Sequence, residues 1–217
     1  MNSAGDPAMN KTGTEIYLVR HGDLDKGPGR CYVGQMDFPL SPLGIRQANA
    51  LRDVLSTVRF RRIVSSDLIR TRTTADIIAE KQMAKIDTDP AFREISLGDW
   101  EGLSFEAVME RYPEEYANRG KNLPDHRPPG GENFRQLGDR AWPAFSRLAA
   151  KPMAEQGNGP LLLVTHVGVI RVLLCRILNL PLENMFLLHH DYGAFTTLRP
   201  KEGRFILTGF NSRTRRD

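Results

Sequence analysis

The chain is poor in cysteine, in long apolar runs and in aromatic residues. Two cysteines among 217 residues exclude a disulfide-built scaffold and suit a reducing cytoplasm. Cys31 stands in a glycine-rich loop and Cys175 in an apolar helical pattern. Neither has a base beside it in sequence, so neither is singled out as a nucleophile. No apolar run approaches a membrane span. Residues 1–13 are polar and small, lack an apolar signal core, and read as a flexible tail. No Asp/His cluster has metal-ligand spacing, so no metal is called for. The formal net charge is only +4. The basic clusters Arg59/Arg61/Arg62 and Arg213/Arg215/Arg216 carry no interleaved aromatics, so they read as solvated surface and not as a nucleic-acid interface. A positive cleft that attracts an anion stays compatible with that charge.

What is present is a 40% hydrophobic, 26% charged composition, that of a soluble globular domain. Residues 14–210 read as one such domain, with a basic tail at 211–217. Apolar strand-like runs alternate with helical patterns. The β-branched run Ile16-Tyr17-Leu18-Val19 is a buried strand. A long loop rich in Gly, Pro and Asp follows over 23–40, a length that marks function or disorder. Ser41-Pro42 opens a helix as N-cap and first helical residue, with Leu43, Gln47, Leu51 and Leu55 at helical spacing. Residues 62–65 form a second strand, and Ser65-Ser66-Asp67 offer caps for a helix over 68–81.

A short strand precedes the connector 87–90. Ser104 caps a helix ending before Pro113, within an excursion over 104–131 whose 120–131 part is polar and rich in Pro and Gly. Residues 132–150 are helical, with Pro143 inside. Leu161-Leu162-Leu163-Val164 is a strand buried on both faces, and 168–178 an apolar helix. Residues 185–210 hold two or three strands, with turns at Tyr192-Gly193 and Glu202-Gly203. The class is α/β: a three-layer αβα sandwich with a mainly parallel sheet.

Two strands end alike. The first runs into Arg20-His21-Gly22 and the late one into Thr165-His166-Val167-Gly168. In a parallel sheet both histidines emerge at the carboxyl edge, where such sheets bind ligands. Arg70 lies in the first turn of the helix after the second strand, where backbone N–H groups and the helix dipole favour an anion. Two arginines, two histidines and a helix terminus suit a phosphate ester dianion.

Four segments in order carry a family likeness: Arg20-His21-Gly22; Ser66-Asp67-Leu68 with Arg70, Thr74 and Ala75; Arg93-Glu94-Ile95 with Gly98 and Trp100-Glu101-Gly102; and Thr165-His166 with Gly168-Val169-Ile170-Arg171. Together they resemble the histidine phosphatase superfamily, the phosphoglycerate-mutase-like proteins. The resemblance implies that His21 attacks phosphorus, its other ring nitrogen donating to a loop carbonyl. It implies that Arg20, Arg70 and His166 hold the phosphoryl oxygens, His166 as a cation. Glu94 is implied to protonate the leaving alkoxide and then activate water. No cofactor is implied.

The expected activity is that of a metal-independent, cytoplasmic phosphomonoesterase acting on a small phosphorylated metabolite, as monomer or homodimer, with no nucleic-acid or membrane partner. The loop over 30–41 is similar to that of α-ribazole phosphate phosphatases, which act in cobalamin nucleotide-loop assembly. Two other readings stand beside it. One is a cofactor-dependent phosphoglycerate mutase, against which the short excursion speaks. The other is a binding module that takes phosphorylated ligands without turnover, for which Glu94 has little use.

Departures from the family pattern concern the substrate. Asp23-Leu24 replace the usual Glu-Thr, Val167 replaces a small residue, and no phosphate-touching Asn can be placed. Arg30 or a loop amide is the expected substitute, so Gly22, Arg30 and Val167 are candidate substrate contacts. Arg171 and Arg176 read as surface or helix-end charges, Trp100 as packing, and His189 and His190 as structural. His126 reads as surface, with a substrate contact as the alternative. Glu132 is either a helix cap or a pocket-edge residue.

Overall fold

The computed structural model describes residues 15–27, 29–150 and 159–213. The expected tail at 1–13 and residues 214–217 lie outside the described residues. β1 (Ile16–Arg20) is followed by α1 (Pro42–Val54), β2 (Arg62–Ser65), α2 (Ile69–Ala79) and β3 (Ile86–Thr88). Then come α3 (Phe105–Arg111), α4 (Pro113–Lys121), α5 (Phe134–Ala150), β4 (Leu161–Thr165), α6 (Val167–Ile177), β5 (Phe195–Lys201) and β6 (Arg204–Ser212). The sheet order is β3-β2-β4-β1-β5-β6. β1 to β4 are mutually parallel, while β5 and β6 add an antiparallel edge.

Alternation of side chains across β1 and β4 builds the three layers. Leu18, Leu161 and Leu163 pack with Leu137 and Phe145 of α5 and with Val169 and Leu173 of α6. Val19, Leu162 and Val164 face the other way, against Leu51 of α1 and Ala75 and Ile78 of α2. β4 is therefore buried along its whole length, as its unbroken apolar run requires. Each such leucine contributes about 1.5–3 kcal/mol by leaving water. No helix among the described residues is long and apolar enough to cross a membrane.

Register fixes the site. Arg20 pairs with Thr165 across β1 and β4, so the next residues, His21 and His166, leave the sheet side by side. Ser65 of β2 pairs with Val164, which sets Ser66 beside them. At α1 the expected cap forms: Ser41 Oγ accepts the Gly44 N–H at 3.0 Å.

Elsewhere local expectations give way. α2 starts at Ile69 with Leu68 at the cap position and no side-chain cap there; the Ser66 hydroxyl, two residues earlier, bonds His166 and Thr71 and accepts the Leu68 N–H at 3.4 Å. α5 starts at Phe134, where Asn133 Oδ1 accepts the Gln136 N–H at 2.9 Å and Gln136 Oε1 accepts the Asn133 N–H at 3.0 Å. Residues 113–121 of the excursion are helical. Leu182–Leu187 form a 3-10 turn, leaving two strands in the last part. β6 also runs to Ser212, so the expected 211–217 tail begins inside a strand.

Candidate active site

His21 follows β1 directly, and its N–H donates to the Thr165 carbonyl at 3.1 Å. Its Nδ1 lies 2.7 Å from the Gly22 carbonyl oxygen. A carbonyl can only accept, so Nδ1 carries the proton and Nε2 keeps a free lone pair. Burial, and then the charges of Arg70 and Arg20, hold its pKa well below the usual histidine value. Gly22 is set by close approach: a Cβ there would stand 2.4 Å from the Gly44 carbonyl oxygen at the start of α1.

His166 caps the end of β4 with no exposure, its ring centroid 5.1 Å from that of His21. Arg70 Nε donates to His166 Nδ1 at 3.2 Å. The proton must then sit on Nε2, which donates to Ser66 Oγ at 2.7 Å. In the ligand-free site the ring is thus a neutral imidazole. Burial and the adjacent Arg70 charge push its pKa far down.

The arginines are held by main chain. Arg70 is 1% exposed and donates through Nη1 to Met36 O at 2.6 Å and through Nη2 to Gly34 O at 2.8 Å. The glycine-rich loop is thereby pinned to α2. Arg20 donates to His190 O at 2.5 Å, and its Cζ stacks 3.6 Å from the centroid of the Tyr192 ring. Burial lowers the pKa of both guanidinium groups, and the carboxylate of Glu94 opposes it.

Glu94 sits between two short 3-10 turns. Its Oε2 accepts the Gly168 N–H at 3.2 Å, and its Oε1 accepts the Ile95 N–H at 3.0 Å. A Cβ on Gly168 would stand 2.2 Å from Glu94 Oε1.

Arg20, His21, Arg70, Glu94 and Val167 line one cleft with a cavity volume of about 230 Å³. His166 lies behind it. Arg30 lies outside it, exposed, with its guanidinium 5.3 Å from the Phe105 ring. Gly22 is buried and is not in its wall.

Other cleft residues escaped sequence reasoning. Tyr192 joins the inner wall, and Arg119, Leu123, Phe134 and Phe186 the outer one. Arg171 was read as a surface charge. It lines the cleft instead, held by Leu188 O at 3.0 Å and lying 4.6 Å from the Phe186 ring. The motif segment that follows His166 was the available signal. His126, read as surface, forms cleft wall with its ring 5.3 Å from that of Trp100.

The remaining candidates are structural. Trp100 is fully buried beside Tyr32. Arg176 is exposed over Trp142. His189 is exposed, while His190 is buried against Thr196 Oγ1 at 3.1 Å, burial lowering its pKa to about 4. Asp23 accepts the Ser41 hydroxyl at 2.7 Å. Glu132 is not in the cleft wall but pairs with Arg140. Both thiols are free. Among the described residues no group of three or more His, Cys, Asp or Glu side chains could hold a metal ion.

Comparison with known proteins follows the same residues. The family model for the histidine phosphatase superfamily (branch 1) matches residues 16–213. The adenosylcobalamin/alpha-ribazole phosphatase of Salmonella typhimurium is 30% identical over 198 residues, 91% of this chain and 96% of that one. A Proteus mirabilis protein named "Probable phosphoglycerate mutase GpmB" is 34% identical over 167 residues, 77% of this chain and 76% of its own. The crystal structure of the alpha-ribazole phosphatase from Shigella flexneri superposes with a TM-score of 0.84 at 27% identity. It covers 93% of this chain and 98% of that one.

Proposed function

The chain belongs to the histidine phosphatase superfamily, branch 1, and we propose that it is a metal-independent phosphomonoesterase that works through a phosphohistidine on His21. One observation carries the reading. The Gly22 carbonyl holds the proton on Nδ1, so Nε2 is free to attack phosphorus, within a cleft that also presents Arg20, Arg70 and Glu94.

Nε2 forms a bond to phosphorus as the ester P–O bond breaks. Glu94, protonated, gives its proton to the departing alkoxide. Water then attacks the phosphohistidine, Glu94 takes the water's proton, and inorganic phosphate leaves with His21 restored. Arg20 and Arg70 hold the non-bridging oxygens and offset their charge, so side chains supply the neutralisation. Pinned by Met36 O and Gly34 O, Arg70 loses little freedom when it binds. His166 supports Arg70 from behind. A phosphate dianion beside it favours the imidazolium, against the pull of burial.

The substrate is a small phosphorylated metabolite. α-Ribazole phosphate is the first candidate, supported by the relatives' names and by a cleft wall that includes Phe134, Phe186 and Leu123, which suits the planar, apolar base that its leaving group carries on a ribose. A cytoplasmic setting agrees with two free cysteines. A mutase remains the second reading, favoured by the relative of that name. The two differ in where the phosphoryl group goes: water in one, a substrate hydroxyl in the other.

The test is acid quenching with [32P]-labelled ester in buffer containing EDTA. The protein should carry an acid-labile, base-stable label and release inorganic phosphate. Label retained by His21→Ala, or activity lost to EDTA and restored by magnesium, defeats the proposal. Transfer to a second hydroxyl without phosphate release converts it to the mutase reading. Absence of both label and release leaves only a phospho-ligand binding module.

A further inference from the structure

The loop that carries Glu94 is gripped from behind by one side chain of α5. Arg140 Nη1 donates to the carbonyls of Ala91 at 2.9 Å and Arg93 at 3.1 Å, and Nη2 donates to that of Glu94 at 3.3 Å. The same guanidinium pairs with Glu132, Nη2 to Oε1 at 2.5 Å and Nε to Oε2 at 3.3 Å. Glu132 Oε1 also accepts the Ser96 N–H at 3.0 Å. Residues 91–96 are therefore tied on both sides of Glu94, to Arg140 of α5 and to Glu132 just before that helix. Neither member of the pair lines the cleft.

Arg140 is placed for this by its neighbours in α5, Leu137 and Ala141, which are fully buried in the core. The side chains of Arg140 and Glu132 are 26% and 17% exposed, so solvent screens the pair little. An arginine whose donors go to three carbonyls of one loop fixes backbone position more than it balances charge. The carboxyl it serves has little room, lying under Gly168, where even a Cβ would collide with it.

We propose that Arg140 and Glu132 are positioning residues that hold the Glu94 carboxyl at the leaving-group oxygen. The inference rests on the reading of Glu94 as acid and base. The pair acts only through Glu94, so its benefit should vanish when that carboxyl is gone.

The experiment compares turnover of an alkyl phosphate and of p-nitrophenyl phosphate, whose leaving group needs little protonation. Arg140→Met should lower kcat on the alkyl ester about 10- to 100-fold, the loss expected from a misplaced catalytic group, with KM changed less than about threefold. In kcat/KM, which reports the transfer to His21 and not the hydrolysis step common to both esters, the aryl ester should suffer much less. Glu94→Gln combined with Arg140→Met should be no slower than Glu94→Gln alone. Glu132→Gln keeps the shape of the site and weakens the pair. It should move kcat in the same direction by less, and it decides the matter if Arg140→Met does not fold. Losses that multiply in the double variant, equal losses of kcat/KM on both esters, or an effect on KM alone overturn the proposal. Absence of phosphate release by the unsubstituted protein removes the phosphatase reading, and this one with it. A multiplied loss in an active enzyme removes only this one.

Discussion

His21 is kept uncharged by its surroundings, and that sets how activity responds to acid. An attacking imidazole must be neutral. Burial and the two arginines hold its pKa well below 6.5, so lowering the pH from 7 through 6.5 leaves the nucleophile intact. The expected acid limb of kcat/KM, once the substrate's own ionisation is divided out, lies below that range. A limb centred near 6.5 would falsify the assignment. Tyr192 is the residue to change next. Its ring stacks on Arg20, a contact worth about 1 kcal/mol, or roughly fivefold in binding. Tyr192→Ala should raise KM by that factor with kcat changed less. An unchanged KM would show that His190 O alone holds Arg20 in place.

Among the elements, α6 does two things at once. Its first turn donates the Gly168 N–H to Glu94, and its middle fills the core with Val169, Ile170 and Leu173. Gly168→Ala separates these tasks. Alanine favours the helix by up to about 1 kcal/mol, yet its Cβ would meet Glu94 Oε1 at 2.2 Å. The variant should keep its melting temperature within a few degrees and lose activity on alkyl phosphates by about tenfold or more. Full activity in a folded Gly168→Ala protein would mean that Glu94 need not occupy this position. Just ahead of α2, Ser66 holds the proton-bearing nitrogen of His166 and so fixes the tautomer of that ring.

For the molecule as a whole, three buried histidines link folding to acid. His21 and His166 have pKa values pushed well down, and His190 one near 4. Unfolded chains take up these protons near pH 6.5, so stability is full above that value and declines as the pH falls through the depressed folded values. Each group adds a slope of up to about 1.4 kcal/mol per pH unit. Urea midpoints measured from pH 7 to 4 should fall continuously, and a flat profile would contradict the burial assigned to these rings. Sequence alone made the sheet, its two histidine-bearing strand ends and Arg70 legible, because each is written in one short run of residues. It did not place Tyr192, His126 and Arg171 in the cleft, because their contacts there, with Arg20, Trp100 and Phe186, join segments far apart in the chain. Arg140 was invisible for the same reason, its partners lying some 50 residues upstream. The pairing of Leu18 with Leu163 and of Arg20 with Thr165 belongs to one ladder. A slip of a single residue along it would turn the leucines toward the wrong helix layer and part the two imidazoles together. A copy of this chain paired out of register would thus be inert as well as unstable.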